Sequence, residues 1–380
     1  MATTDKIFDT DTHVIDPPDV FTARMSRQKW GNRIPEVRWS DELDSEAWFV
    51  ADVPTGRAWD AAVRGLAPGF GQGPRRLEDV HPSCYDVNER LRGMDGLGIE
   101  TAVLYPNLGL AGDVVPGHDP DLSFEILRVR NDWLLDWMSV APSRFVPLAC
   151  IPYWDVDEAV KEIDRCAQKG HRGIVTTAAP HLHDLPALGS EHWNPMWAAC
   201  EANNMPVSFH IASGRPLDNW DDAHTAIEGP ATSNARGSVC TFIDNAKFIV
   251  DLVFSGVLAR YANLKFISVE SGISWLPYAM QACDHMFNKG QVWRERPELD
   301  MLPSEYFRRQ IYANYWFEKL EDYHLEYVGL DHILFETDFP HPCCLMGDDI
   351  PKAINHGLSQ QPPEVRERIL WKNAAELFGV

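Results

Sequence analysis

Two carboxylates and two histidines lie at the ends of three predicted strands, where together they could bind a cation. Asp11 and His13 are two residues apart in the first predicted strand, so their side chains share one face. His210 ends an apolar run in the fifth predicted strand, and Asp338 ends the eighth. Singly, such residues are more often turn caps or hydrogen-bonded core side chains. Together, at the carboxyl ends of strands, they predict a metal site.

Glu270 adds a carboxylate at the end of the almost wholly apolar sixth strand. A buried, unpaired glutamate is costly, so it needs a cation, a hydrogen-bond donor or a proton; a salt bridge to an arginine is the alternative. Oxygen donors with few nitrogens suit iron or manganese as well as zinc. The predicted metal ligands are therefore Asp11, His13, His210, Glu270 and Asp338.

The elements that must position these residues alternate regularly along the chain. From about residue 86 to the end, short apolar runs rich in β-branched residues alternate with longer segments of helical periodicity. This order is typical of an α/β fold with parallel strands joined by helical crossovers. Eight strands are predicted, as a (β/α)8 TIM barrel requires, at residues 7–13, 102–105, 145–151, 173–177, 206–210, 265–270, 310–314 and 333–338.

Two segments depart from this alternation. An insertion at about residues 35–85, after the first strand, predicts a small hairpin with strands at 46–53 and 56–59 around a turn at 54–56, and a loop at 65–74. A second excursion, at about residues 218–238, is rich in Asp, Asn, Gly and Ala. Both would emerge at the carboxyl ends of the strands and wall the active site. We otherwise expect one large domain over residues 1–380.

Composition excludes several classes of function. With 34 basic against 56 acidic residues, the formal charge of −22 would repel a nucleic acid backbone. The chain has no long apolar run, so neither a signal peptide nor a membrane span is predicted. The 8 cysteines lack CxxC pairs, which favours a reduced, cytoplasmic protein. A small molecule is therefore the expected partner.

The motifs, taken in order, resemble the amidohydrolase-related family that includes aminocarboxymuconate semialdehyde decarboxylase and resorcylate decarboxylases. The likeness covers nearly the whole chain. It implies a metal-dependent barrel with His13, His210 and Asp338 as ligands, and Asp11 stands where many relatives have a histidine or glutamate. The landmarks are Asp11-Thr12-His13, LRGMDGLGIETAVLYP at 91–106, HWNPMWA at 192–198, His210, ETDFPHP at 336–342 and ILWKNAAELF at 369–378.

The sequence also departs from this family. Glu270 stands where the family decarboxylases have a catalytic histidine, and the fourth strand has no lysine to form the carbamylated bridge of the dinuclear hydrolases. VESG on the sixth strand and ETDFPHP on the eighth are similar to a subgroup of non-haem di-iron monooxygenases known from diterpenoid biosynthesis. The resemblance also implies a homodimer.

Three functions remain open on these observations. We favour an iron-dependent monooxygenase, an oxidoreductase that binds two irons, O2, an electron donor and a bulky apolar or carboxylic-acid substrate, with Glu270, Asp338 and His341 as catalytic residues. The alternative is a mononuclear zinc or manganese hydrolase or decarboxylase of aromatic or unsaturated carboxylic acids, in which Asp338 is the base and Glu270 the acid. The third is a binding barrel without catalysis.

Overall fold

A computed structural model of the protein describes residues 5–62, 73–107, 119–211 and 222–380. All eight predicted barrel strands are present, most within one to three residues of the predicted ends. The strands are β1 (Ile7–His13), β2 (Glu36–Ser40), β3 (Ser45–Val50), β4 (Val53–Arg57), β5 (Ile99–Tyr105), β6 (Phe145–Pro147), β7 (Ala149–Cys150), β8 (Ile174–Val175), β9 (Val207–His210), β10 (Phe266–Val269), β11 (Ile311–Tyr315) and β12 (Ile333–Phe335).

Helices cover the outside of the strands. Many begin and end at local signals: the second begins after the side-chain cap Asp86 and ends at Gly98, which has a positive φ of 75°. The α-helices are α1 (Arg27–Trp30), α2 (Val87–Leu97), α3 (Pro120–Met138), α4 (Val156–Lys169), α5 (Asn194–Ala202), α6 (Asp222–Glu228), α7 (Pro230–Phe254), α8 (Val257–Arg260), α9 (Leu276–Gly290), α10 (Pro303–Gln310), α11 (Asp322–Tyr327), α12 (Asp349–Leu358), α13 (Pro363–Glu367) and α14 (Asn373–Phe378), the last preceded by a π-helical turn, Arg368–Lys372.

The main sheet closes on itself. Its strand order is β6-β5-β1-β12-β11-β10-β9-β8-β7, and all the pairings are parallel. Strands β6 and β7 are two pieces of one predicted strand, separated only by Leu148, and they pair with β5 and β8 respectively. The two edges of the sheet therefore belong to one strand, and the protein is the predicted (β/α)8 barrel.

A bulge in β1 decides which side chains face the inside of the barrel. Phe8 belongs to the small core inside the barrel, together with Val103 and Leu334, whereas Ile7 packs in the larger core under the helices. Between Asp9 and Thr12 the register with β5 shifts, so that three residues of β1 oppose two of β5. The shift reverses the alternation and turns the residues at 11 and 13 to the same side as Phe8.

The insertion after β1 differs from the predicted hairpin. It is a three-stranded antiparallel sheet of β2, β3 and β4, and the turn between β3 and β4 lies at Ala51 and Asp52 rather than at 54–56. Both turn residues have positive φ, 49° and 66°, as a two-residue hairpin loop requires. The predicted turn was wrong because Pro54 and Gly56 lie within β4. Of the loop predicted at 65–74, residues 65–72 lie outside the described residues.

The second excursion is helical where the structure describes it. Residues 222–228 form α6 and residues from Pro230 onward form α7, while 218–221 lie outside the described residues. The buried face of α7 begins with small or polar residues at every fourth position, Ser233, Gly237, Thr241 and Asn245. The excursion was not predicted to be helical because this stripe is not apolar, although its spacing is helical.

Two further expectations concern the chain as a whole. Among the described residues, no helix is both long and apolar enough to cross a membrane. All eight cysteines are free thiols. A cytoplasmic location stays a prediction.

Candidate metal centre

The two predicted histidine ligands approach each other across the inside of the barrel. His13 lies at the end of β1, His210 at the end of β9, and both are buried. Their Nε2 atoms are 3.2 Å apart. Asp11, on the same face of β1 as His13, has its Oδ1 3.4 Å from Nε2 of His13 and its Oδ2 3.6 Å from Nε2 of His210.

Backbone carbonyls fix the tautomers of both rings. Nδ1 of His13 lies 3.2 Å from the carbonyl oxygen of Pro106, and Nδ1 of His210 lies 2.8 Å from that of Ile211. A carbonyl oxygen can only accept, so each Nδ1 carries a hydrogen. In the neutral rings both Nε2 lone pairs then face the centre of the cluster, an arrangement that a shared cation would stabilise.

The two remaining predicted ligands follow the ends of β10 and β12 with an unusual backbone. Glu270 and Asp338 both adopt positive φ, 57° and 61°, a conformation that non-glycine residues rarely take. Hydrogen bonds hold both turns: the N–H of Glu270 donates to Glu336 at 3.0 Å, and the N–H of Asp338 donates to the carbonyl of Asp11 at 2.9 Å. These turns point both carboxylates inward.

Glu270 and Asp338 complete the cluster around the histidines. Oε2 of Glu270 is 3.5 Å from Nε2 of His210, and Oδ1 of Asp338 is 3.5 Å from Nε2 of His13. Ligand atoms of Asp11, His13, His210 and Glu270 all lie within 4.8 Å of one another, and so do those of His13, Glu270, Asp338 and His341. The structure thus brings together all six predicted site residues, and their roles stay a prediction.

The Asp11 carboxylate lacks a hydrogen-bond donor among the residues that the structure describes. Both of its Oδ atoms are buried with only histidine nitrogens near them, and Oδ1 of Asp338 is buried between nitrogens of His13 and His341. Buried carboxylates of this kind require a compensating positive charge. Imidazole nitrogens and carboxylate oxygens are also the donors that divalent manganese, iron and zinc bind. The residues present therefore fit a divalent cation.

The electrostatics of the cluster agree with this fit. Burial alone would lower the pKa of His13, but the neighbouring carboxylates of Asp11 and Asp338 raise it to about 9. Burial raises the pKa of Glu270 well above its usual value, and the charges of Asp338 and Asp11 raise it further. The site thus attracts positive charge, which a proton on His13 or a bound cation can supply.

His341 joins the cluster through Asp338. Its Nδ1 is 2.7 Å from Oδ1 of Asp338, its Nε2 is 2.9 Å from Oδ1 of Asn107, and its ring centroid is 3.9 Å from that of His13. Asn107 was not predicted as a site residue. It follows the end of β5, so the same rule of polar residues at strand ends could have identified it.

Two other residues of the site were also missed. The thiol of Cys343 lies 3.2 Å from Oδ2 of Asp338 and 3.7 Å from Oε1 of Glu270. Glu336 is fully buried next to the cluster, and its Oε2 accepts a hydrogen bond from the backbone N–H of Glu270. The position of Glu336, a charged residue directly after an apolar strand, could have identified it from the sequence. The spacing of Cys343 gives no such indication.

Curated relatives of the chain are decarboxylases. It is 28% identical over 316 residues to a gamma-resorcylate decarboxylase of Polaromonas sp., an alignment that covers 79% of this chain and 90% of the relative. It is 21% identical over 317 residues to a 2-amino-3-carboxymuconate-6-semialdehyde decarboxylase of Dictyostelium discoideum, covering 80% and 79%. Both enzymes belong to the family group that the motifs resemble, so that resemblance is confirmed.

Solved structures share the fold over the full chain. An amidohydrolase from Mycobacterium avium subsp. paratuberculosis superposes with a TM-score of 0.76 at 20% identity, covering 100% of both chains. A dihydroxybenzoic acid decarboxylase from Polaromonas sp., with bound manganese and the inhibitor 2-nitroresorcinol, superposes with a TM-score of 0.62 at 19% identity, covering 99% and 97%.

These relatives correct one prediction. The favoured oxidoreductase activity is wrong, because the curated relatives are decarboxylases, which are lyases. Iron, O2 and an electron donor find no support among them, whereas a metal site, a manganese alternative and a small-molecule substrate agree with the cluster and with the neighbouring structures.

One family model spans almost the whole chain. The amidohydrolase model matches residues 8–380, from the second residue of β1 to the carboxyl terminus, and so includes every residue of the cluster. The prediction of a metal-dependent enzyme on this kind of barrel agrees with that match. The chain belongs to the amidohydrolase family.

Proposed function

We propose that the protein is a metal-dependent decarboxylase that releases CO2 from an aromatic or unsaturated carboxylic acid. The observation that carries this proposal is the cluster of inward-facing lone pairs at the mouth of the barrel, in a chain whose curated relatives include a gamma-resorcylate decarboxylase aligned over 79% of its length. The hydrolase alternative has no comparable support among those relatives.

Four residues would hold the cation. His13 and His210 offer Nε2 atoms oriented by backbone carbonyls, Asp11 offers two buried oxygens without donors among the described residues, and Asp338 offers the Oδ1 atom that lies 3.5 Å from Nε2 of His13. A divalent cation bound there would supply an electron-pair acceptor for the carboxylate and hydroxyl oxygens of the substrate. Burial of all four side chains excludes water and strengthens the electrostatic attraction.

Glu270 is the proton donor of this proposal. When CO2 leaves, the carbon that carried it keeps the bonding electrons and must gain a proton. Burial and the charges of Asp338 and Asp11 raise the pKa of Glu270, which favours the protonated carboxyl that this step requires. Glu270 stands where the resembling decarboxylases have a histidine. After each turnover it regains the proton from solvent, so the net reaction consumes one proton and releases one CO2.

His341 and Asn107 support Asp338 rather than the substrate in this scheme. Nδ1 of the imidazole lies 2.7 Å from Oδ1 of Asp338, and the opposite ring nitrogen lies 2.9 Å from Oδ1 of Asn107. A ring held from both sides keeps the Asp338 carboxylate in one orientation. Asp338 therefore points one oxygen at His13, inside the cluster.

The test is an anaerobic assay of CO2 release. Protein stripped with a chelator and reloaded with manganese or zinc would be incubated with 2,6-dihydroxybenzoate and with 5-carboxyvanillate, and benzoate would serve as the control without ring hydroxyls. We expect CO2 from a hydroxylated acid, and in D2O a product with one deuterium at the vacated carbon. A reaction that needs O2, or no CO2 release with either metal from any acid of a wider panel, would contradict the proposal.

A further inference from the structure

Glu336 is a buried carboxylate that the proposed chemistry does not use. It follows β12, its side chain is fully buried, and it lies next to the candidate metal centre. Its Oε2 accepts two hydrogen bonds, from the backbone N–H of Glu270 at 3.0 Å and from Nδ2 of Asn314 at 2.6 Å. Its Oε1 has no hydrogen-bond partner among the residues that the structure describes. Burial of a carboxyl group at this place is energetically costly unless its hydrogen bonds stabilise another part of the structure.

The Glu336 carboxyl group stabilises the backbone of Glu270. This residue comes directly after β10 and has a φ of 57°, a left-handed conformation that is unfavourable for a non-glycine residue. A buried N–H without an acceptor would destabilise this turn further. Glu336 supplies that acceptor, and so it stabilises the one backbone conformation that turns the Glu270 side chain toward His210.

Three adjacent strands converge on this one oxygen. Strand β10 pairs with β11, and β11 pairs with β12. Glu270 follows β10, Asn314 lies in β11 and Glu336 follows β12, so the Glu336 side chain reaches across β11 to the end of β10. Asn314 fixes the carboxylate in the middle of that span. The length of the side chain, more than its charge, makes the contact.

We propose that Glu336 is a positioning residue that holds Glu270 in its place at the candidate metal centre by accepting the hydrogen bond from the Glu270 backbone N–H. The proposal rests on the proposed function only in that Glu270 acts on the substrate. Glu336 is not among the side chains whose ligand atoms cluster at the candidate metal centre.

Three substitutions distinguish the effect of the length of the Glu336 side chain from the effect of its charge. Glu336→Gln keeps both the length and one acceptor oxygen, Glu336→Asp keeps the charge but is shorter by about one carbon–carbon bond, and Glu336→Leu keeps neither. In the manganese-loaded protein, positioning predicts that Gln retains kcat within about threefold while Asp and Leu lose about ten- to a hundredfold, with KM and metal content changed much less. Rescue by Gln but not by Asp is the expected pattern.

Gln310→Leu is the matched control. Gln310 is another fully buried, hydrogen-bonded side chain, at the opposite end of the barrel, where its Nε2 donates to the carbonyls of Tyr261 and Leu264. This variant should lower the melting temperature as Glu336→Leu does but leave kcat unchanged. If Gln310→Leu lowers kcat as much as Glu336→Leu, the loss reflects general destabilisation and the positioning role is wrong.

Hydrogen exchange tests the same contact without any substrate. Exchange of the Glu270 amide, followed by mass spectrometry on a peptide that covers residues 266–274, should accelerate in Glu336→Leu and Glu336→Asp and remain slow in Glu336→Gln. Equal exchange in all four proteins would overturn the proposal, and so would a Gln variant as impaired as Leu. Failure of the wild type to release CO2 would contradict the proposed function alone, because the exchange pattern would still decide the role of Glu336.

Discussion

The two ends of the barrel bury polar side chains in different ways. At the amino-terminal end, the floor, Gln310 has partners for its whole amide: its nitrogen donates to the carbonyls of Tyr261 and Leu264, and its oxygen accepts from Arg309. His171, also at the floor, is kept neutral, because burial lowers its pKa to about 4. Both of these buried side chains are therefore neutral.

At the carboxyl-terminal end, the mouth, three carboxylates and three histidines face one another. Within the described part of the chain the Asp11 oxygens have no hydrogen-bond donor, and two residues of the cluster, Glu270 and Asp338, have a left-handed backbone. Such an arrangement lowers stability unless a ligand compensates for it. Nε2 of His171 is also buried without a hydrogen-bond partner among the described residues, so an unpartnered polar atom does not by itself indicate function. A cluster of buried carboxylates without a compensating charge does. Substitutions at the floor should therefore change stability, and substitutions at the mouth should change metal binding and turnover.

The largest effect is expected from His210→Ala. The variant removes one of two Nε2 atoms that are 3.2 Å apart at the centre of the cluster. Manganese affinity should fall by at least about a hundredfold and CO2 release should fall to background, because even partners outside the coordination sphere contribute ten- to a hundredfold. Metal content by mass spectrometry and the CO2 assay measure both.

His192→Ala is the control for this prediction. His192 is exposed on a 3-10 turn before α5, outside the barrel. It should retain full metal content and activity. An active, fully metal-loaded His210→Ala protein would show that His210 does not belong to the site and would contradict the distinction between mouth and floor.

Glu270→Gln should have the next largest effect, on turnover more than on metal binding. The amide keeps the shape of the side chain but cannot donate the proton, so kcat should fall by about 10²- to 10⁴-fold. Metal content should stay close to that of the wild type. The metal-free variant should also be at least as stable as the wild type, because the amide cannot add a negative charge beside Asp338 and Asp11. Loss of the metal would instead make Glu270 a ligand.

Much of the mouth could be predicted because it depends on local periodicity. Apolar runs with β-branched residues predicted all eight strands, and the last polar residue of a strand in a parallel barrel faces the site. This rule identified Asp11, His13, His210, Glu270 and Asp338, which the structure brings together. The reasoning needed only the ends of the strands.

The remaining features depend on contacts that are distant in the sequence. Regular alternation in β1 would turn Asp11 and His13 to the same side as Ile7, away from the inside of the barrel; the bulge that reverses them follows from pairing with β5. Likewise, the left-handed backbone of Glu270 depends on Glu336, 66 residues away. Such pairings can be recognised only once the barrel has closed.

Replacement of Cys343 should have a smaller effect at the mouth. Its thiol donates to Oδ2 of Asp338 at 3.2 Å, while Oδ1 of the same carboxylate faces His13. Cys343→Ala removes a donor that orients this candidate ligand, so manganese affinity should fall by about tenfold. Cys343→Ser keeps a donor and should lose less. Cys240→Ser, a partly exposed thiol on α7, is the control and should bind manganese as the wild type does. Equal affinities in Cys343→Ala and the wild type would contradict the role.

The smallest effect near neutral pH is expected from the floor residue His171. Its pKa is lowered by burial to about 4, whereas in the unfolded chain it is about 6.5. The unfolded state therefore binds more protons, so the contribution to stability is present above pH 6.5 and is lost as the pH falls toward 4. At pH 5 the loss is about 2 kcal/mol relative to pH 7.

Comparison with His171→Gln isolates this contribution, because groups at the mouth also titrate. Urea unfolding of both metal-free proteins at pH 7 and pH 5 gives the difference in their free energies of unfolding at each pH. Relative to the wild type, the glutamine variant should be about 2 kcal/mol more stable at pH 5 than it is at pH 7, because glutamine binds no proton in either state. Metal content and activity at pH 7 should be those of the wild type. If the difference is the same at both pH values, His171 is protonated at pH 5 in the folded protein as in the unfolded chain. The floor would then hold a buried charge at that pH, as the mouth does.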